Sequence, residues 1–173
     1  PPQSILFSSN SMPIRDLDSF SGSGPKPLQI LANRGVSGID GNISTLLGLA
    51  AVHSTTTGVT LGLIGALALF HDMNGLMMAR EVDAIIVLFN NNGGGIFHHL
   101  PQVALPEFER LWKTPTQLDF AQVARLYQLE YQRLTSIHGM ERALQQALQQ
   151  RGVRIIELVI DAGVSLAQHR AYW

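Results

Sequence analysis

A doubly wound α/β domain, with a parallel sheet as the middle of three layers, is what this sequence predicts, on three observations. Apolar runs of strand length alternate along the chain with segments of helical apolar spacing, the pattern of crossover helices covering both faces of a parallel sheet. One run, Ala84–Phe89 (AIIVLF), is continuously apolar, as strands buried on both faces are. It opens directly into Asn90-Asn91-Asn92-Gly93-Gly94-Gly95, three amides and three glycines at a strand's carboxyl end, where open α/β sheets bind ligands. At 173 residues, 46% of them hydrophobic, the chain is sized for one domain, residues 1–173.

The elements follow in order. Ser4–Ser9 (SILFSS) reads as a short buried strand, and Asn10-Ser11 as a cap for the turn into Ile14–Phe20. Ser21–Pro27 (SGSGPKP) is a loop by composition, and Leu28–Ala32 a second strand. Ser37-Gly-Ile-Asp40 has the spacing of a capping box, which predicts a helix from there to His53. Thr55–Gly58 is a turn and Val59–Gly65 a third strand. Leu67–Glu81 carries apolar residues at helical spacing, with Gly75 as a weak point. Past the glycine loop, Glu107–Trp112 and Leu118–Gln128 read as helices and Tyr131–Leu134 as a strand. Met140–Gln150 is an amphipathic surface helix ended by Gly152, and Val153–Ile160 (VRIIELVI) the last strand.

Composition excludes several functions. A formal charge of −1 argues against nucleic acid, which needs clustered Lys and Arg. Without cysteine there is no disulfide framework and no thiolate metal site. The longest apolar stretch, Val59–Phe70, is shorter than the about 20 residues a membrane helix needs, so the protein is not expected to be transmembrane. The opening PPQSILFSSN lacks a basic n-region and a long apolar h-region, so no secretory signal is expected there. There is no Ser-His-Asp set, phosphate-binding Gly-x4-Gly-Lys loop or Rossmann fingerprint. His98 and His99 are adjacent and do not converge on one ion; His71 with Asp72 reads as helix surface, and Asp40 as a helix-start residue.

Three blocks carry a resemblance. Ala32–Gly41 (ANRGVSGIDG), His71–Leu76 (HDMNGL) and Asn91–Gln102 (NNGGGIFHHLPQ) resemble the 2-succinyl-5-enolpyruvyl-6-hydroxy-3-cyclohexene-1-carboxylate synthase family of menaquinone and phylloquinone biosynthesis, in its C-terminal domain. The resemblance implies a thiamine-diphosphate-binding fold and a transferase in which 2-oxoglutarate loses CO2 and its succinyl unit is added to isochorismate. It implies thiamine diphosphate and Mg2+ (or Mn2+) as cofactors. By the same resemblance Ile39, Gly65, Asn91, Gly93, Ile96, Phe97 and Leu100 bind the cofactor. Asn91 and Gly93 are its metal ligands, with Asn90 the alternative that a shortened Arg80–Asn90 segment leaves open. Ser11, Arg15 and Arg34 match positions that contact substrate carboxylates, where planar guanidinium forks suit the task. Arg15 sits beside Asp16 and Asp18 and reads equally as a solvated residue.

The resemblance further implies a homodimer or homotetramer, with Leu67–Ala79 as an interface helix, in the bacterial cytoplasm or plastid stroma. The family's central and N-terminal domains have no counterpart here. A neighbouring subunit supplies the family's pyrimidine-binding domain with its activating glutamate, so this chain alone is expected not to turn over and holds no catalytic residue of its own. One residue departs from the pattern. The family has Asp after the glycine that ends the third strand; here it is Ala66, and a methyl group cannot coordinate Mg2+. Asp72, farther along the same helix, is no evident substitute. The second reading is therefore a degenerate, non-catalytic domain kept for structure or assembly.

Overall fold

The computed structural model describes residues 1–25, 27–54 and 57–172; Lys26 of the predicted loop, and Thr55 and Thr56 of the predicted turn, lie outside them. Among the described residues six strands, β1 (Ser4–Ser8), β2 (Leu28–Ala32), β3 (Thr60–Gly65), β4 (Ala84–Asn90), β5 (Glu130–Leu134) and β6 (Val153–Val159), form one sheet in the order β2-β1-β3-β4-β6-β5. Every pairing is parallel. The α-helices are α1 (Met12–Phe20), α2 (Asn42–His53), α3 (Ala66–His71), α4 (Phe120–Leu126), α5 (Ile137–Ala147) and α6 (Ala162–Tyr172).

The order explains the layers. The chain steps one way from β1 to β2 and from β5 to β6, and the other way at every other crossover. Crossovers of one hand then put α1 and α5 on one face and α2, α3 and α4 on the other. The core follows: Phe7, Ile64, Ile86, Leu88 and Ile155 pack with Leu46, Leu47, Leu69 and Phe120 on one side. Ile85, Val87 and Ile156 pack with Met140, Ala143 and Ala147 of α5 on the other. β4 is buried on both faces, which is why its sequence is apolar without alternation.

Five expectations are corrected. The capping box does not form: α2 starts at Asn42, after Gly41 in the left-handed region (φ 66°) that suits glycine, so Asp40 does not start it. Its cap comes from across the fold, where the Asp72 carboxylate accepts from Ser44 N (2.8 Å) and Ser44 Oγ (3.0 Å). Asp72 is therefore a capping residue and not loose helix surface. The long helix Leu67–Glu81 is instead α3 followed by the 3-10 segment Met73–Arg80. There a Cβ on Gly75 would stand 2.7 Å from Ser44 Oγ and 2.9 Å from its N, so the tight turn lets this backbone pass the start of α2. Ser11, at the N-cap of α1, makes no side-chain cap bond. Glu107–Trp112 is a π-helical turn at Glu109–Lys113, and α6 was not foreseen.

Candidate functional site

β1 and β3 are neighbours, but the chain leaves β1 toward β2 and β3 toward β4. Their ends diverge, and a topology of this kind opens a crevice there. A cavity of about 470 Å³ lies at this edge, lined by residues that follow β1, β2, β3, β4 and β6. Ser11, Arg15, Arg34, Ile39, Gly65, Asn91, Gly93, Ile96 and Phe97 all line it. Leu100 does not. The 3-10 turn Gly95–His99 ends before it, its backbone is extended, and its side chain is 39% exposed.

One buried amide organises the β1 and β2 side. Asn10 is 1% exposed, and its Nδ2 donates to the carbonyls of Asn33 (3.0 Å) and Gly38 (2.6 Å). Its Oδ1 accepts from Arg34 Nη1 (2.6 Å). Arg15 Nη1 donates to the Ser11 carbonyl (2.8 Å). A guanidinium carries five donors, so one such bond orients the fork and leaves donors for a carboxylate. Ser9 ties the two strand ends together, its N donating to the Leu63 carbonyl (2.8 Å) and its Oγ accepting from Gly65 N (3.1 Å).

On the β4 side the three amides have different tasks. Asn90 Nδ2 donates to Glu157 Oε1 (2.7 Å), and its Oδ1 accepts from Asn92 N (3.0 Å). Asn90 is thus turned into the protein, while Asn91 lines the cavity. Asn92 Oδ1 accepts from Gln117 N (2.9 Å). Gly93 has φ 147°, and a Cβ there would collide with the Lys113 carbonyl oxygen. Gly94 N donates to that same carbonyl (2.7 Å), so the π-helical turn anchors the glycine loop. Glu157, 2% exposed on β6, also accepts a short hydrogen bond from the Tyr131 hydroxyl and stands 3.7 Å from Arg133 Nε. Burial, then the bond to Glu157 and its charge, raise the Tyr131 pKa.

The far wall belongs to α6, through Ala162, Ser165 and Leu166. Its His169 is 7% exposed. His169 Nε2 lies 2.6 Å from Asp16 Oδ1, and Nδ1 lies 2.7 Å from the Ser165 carbonyl. Burial pulls the His169 pKa down, but the bonds to Asp16 and Ser165 and the Asp16 charge outweigh it, and the net shift is upward. His99 faces His169 with ring centroids 5.4 Å apart. Its pKa is lowered by burial first, then by the charges of His169, Arg170 and His98, with Asp16 opposing.

The donor set fits thiamine diphosphate better than it fits the metal. The cavity has an apolar floor and wall in Ile39, Ile96 and Phe97. Among the described residues a Cβ at Gly65 would have only Pro13 Cγ, 3.9 Å away, within contact range, so the backbone there is open to a ligand. Mg2+ wants about six oxygens with one or two carboxylates among them. Here Asn91 offers an amide oxygen, and the Gly93 carbonyl already accepts from Gly95 N (3.1 Å). Ala66, 3% exposed, puts a methyl group at the head of α3, and Asp72 is engaged at α2. Among the described residues no three His, Cys, Asp or Glu side chains are placed to hold a metal ion. The metal does not fit this donor set.

The sequence offered Asn10 only as a cap, and did not single out Glu157, Asp16 as a partner of His169, or α6. Asp161 was the available signal for α6, since its Oδ1 accepts from Val164 N (2.9 Å) as a helix-starting Asp does. A lone Asn or Glu announces nothing until the fold supplies its neighbours.

Comparison with known proteins gives consistent matches. Residues 24–158 match a family profile described as the C-terminal TPP binding domain of thiamine pyrophosphate enzymes. The chain is 45% identical over 176 residues to the 2-succinyl-5-enolpyruvyl-6-hydroxy-3-cyclohexene-1-carboxylate synthase of Oceanobacillus iheyensis, covering 100% of this chain and 30% of that protein. It is 44% identical over 169 residues to the synthase of the same name from Haloarcula marismortui, covering 96% of this chain and 28% of that one. Benzoylformate decarboxylase from Polynucleobacter necessarius shares the fold, with a TM-score of 0.72 at 20% identity over 94% of this chain and 31% of that one. The chain thus spans about 30% of the length of the curated relatives it matches.

Proposed function

The chain belongs to the C-terminal TPP-binding domains of thiamine pyrophosphate enzymes, and from that premise we propose that it is the diphosphate-binding domain of a 2-succinyl-5-enolpyruvyl-6-hydroxy-3-cyclohexene-1-carboxylate synthase. The substrates on this reading are 2-oxoglutarate and isochorismate, and the product enters menaquinone or phylloquinone biosynthesis. The observation that carries it is the meeting of Asn91, Gly93 and Gly65 with Arg15 and Arg34 on one cavity at the switch point of the sheet.

Thiamine diphosphate, when bound, supplies the electron sink for decarboxylating a 2-oxo acid. The chain's own residues bind and orient. Ile39 supports the cofactor's ring, and Ile96 and Phe97 wall it from water. The glycine loop and Gly65 receive the diphosphate. Arg15, Ser11 and Arg34 hold substrate carboxylates, where two fixed guanidinium forks favour dianionic substrates. The remainder of the site comes from a pyrimidine-binding domain of a neighbouring subunit in a homodimer or homotetramer of the bacterial cytoplasm or plastid stroma. No helix among the described residues is long and apolar enough to cross a membrane.

Ala66 favours a second reading, a degenerate domain that keeps the fold without catalysis. A chimera separates the two: this chain replaces the matching segment of the Oceanobacillus iheyensis synthase, and product formation from 2-oxoglutarate and isochorismate is assayed. Turnover, enhanced by Ala66→Asp, supports the synthase reading. A folded chimera that stays inactive with Ala66→Asp supports the degenerate one.

A further inference from the structure

The C-terminal helix is fastened to the first helix by contacts of three kinds. His169 Nε2 meets Asp16 Oδ1 at 2.6 Å. The Tyr172 hydroxyl donates to the Ser19 carbonyl at 2.8 Å. The Phe20 ring lies between them, its centroid 5.6 Å from that of His169 and 4.5 Å from that of Tyr172. Both helices face the cavity, α6 through Ser165 and Leu166 and α1 through Arg15 and Asp16 itself. Whatever holds α6 against α1 therefore fixes the wall on which Arg15 stands.

The chemistry of the contact makes it depend on a proton. A carbonyl can only accept, so His169 Nδ1 must donate to Ser165; a carboxylate also accepts, so Nε2 must donate to Asp16. Both bonds exist together only in the imidazolium, since neutral imidazole has one N–H. We propose that His169 and Asp16 form a proton-dependent latch that holds α6 on α1 and so positions Arg15 at the substrate end of the cavity. His169 is on this account a positioning residue, acting through Asp16 and α1. The role of Arg15 rests on the synthase reading above; the latch itself does not.

Among the described residues, the groups facing His169 come from three elements. Asp16 stands on α1, whose remaining charges are Arg15 and Asp18. His99, with His98 beside it, comes from the turn after β4. Arg170 is next to it on α6. Among the described residues, the Asp16 carboxylate and the Ser165 carbonyl favour the charged imidazole, while His99, His98 and Arg170 carry like charge when protonated. The sign follows. The folded pKa of His169 lies above its ordinary value of 6.5, so the stability the proton gives the latch is fully present below that value and is lost as pH rises through the folded one, where the neutral ring keeps a single N–H for its two acceptors and the ion pair is gone. His99, shifted the other way, has lost its proton before the latch opens.

The test is a pH series of this chain from about 5.5 to 8.5, the range in which histidines titrate, read by NMR of labelled histidine and by amide hydrogen exchange. His169 is expected to titrate above 6.5 and to move down in Asp16→Asn. Protection factors along Ala162–Tyr172 should fall as pH rises through the folded value, about tenfold for each unit of elevation. In His169→Gln they should be low and independent of pH. The affinity for 2-oxoglutarate should weaken over the same interval in the wild type only. Titration of His169 at or below the ordinary value, or pH-independent protection in the wild type, overturns the latch. Binding of 2-oxoglutarate with a flat pH profile while protection changes overturns its link to Arg15. No 2-oxoglutarate binding at any pH, beside the expected titration and protection, overturns a carboxylate-holding role for Arg15 in this chain and leaves the latch supported.

Discussion

At the residue scale, the most consequential position is Ala66. Its methyl sits at the first position of α3 and lines the cavity, where a carboxylate would supply the negative charge that the neutral oxygens of Asn91 and Gly93 lack for a cation. Ala66→Asp is predicted to tighten binding of Mg2+ with thiamine diphosphate at least about tenfold, or 1.4 kcal/mol. Calorimetry of both chains checks this, and equal affinities would remove the basis of the second reading. Asn10 is the other residue on which several contacts converge. Asn10→Ala strips donors from two carbonyls and the acceptor from Arg34, and should cost about 2–3 kcal/mol in denaturant unfolding. Glu157→Ala leaves Asn90 and Tyr131 without their shared acceptor and should cost about as much. Glu157→Gln, which can still accept from Asn90 and donate to the Tyr131 oxygen, should cost about 1 kcal/mol or less.

At the scale of elements, strands were more legible than helix ends. Continuous apolar runs such as AIIVLF have one physical reading once helices flank them, and β4 and β6 lie within a residue of their expected limits. The α2 start misled because Ser37 and Asp40 mimic a capping box, whereas the true cap, Asp72, is supplied by a segment distant in sequence. Local spacing cannot register such a partner. Asp72→Ala is predicted to lower stability by about 1 kcal/mol, the usual worth of an N-terminal cap, and to loosen the 3-10 segment with it; denaturation and exchange at Ile43–Leu46 measure both. Gly75→Ala should cost about 1–3 kcal/mol, since a methyl there meets the backbone of α2.

At the scale of the whole molecule, the surface beyond the cavity bears on assembly. Phe70, Met77 and Met78 are exposed by 44%, 75% and 44% on α3 and the segment after it, and surfaces of this kind mark interaction sites when contiguous. The chain is predicted to self-associate in sedimentation, and Met77→Glu to shift it toward monomer. The cleft was legible because its parts are contiguous motifs, ANRGVSGIDG and NNGGGIF, each delivered whole to one sheet edge. What lay outside those motifs, Asn10, Glu157 and the His169–Asp16 pair, depends on contacts between distant segments and had no local signature. The account stands on thiamine diphosphate occupying that edge. A titration of labelled chain with the cofactor and Mg2+, followed by amide chemical shifts, tests it most directly and detects weak binding. Saturable shifts at Gly38–Ile39, Gly65–Ala68 and Asn91–Phe97 are the predicted result. Shifts at the opposite edge, around Ala84 and Val153, or none at saturating cofactor, would contradict it.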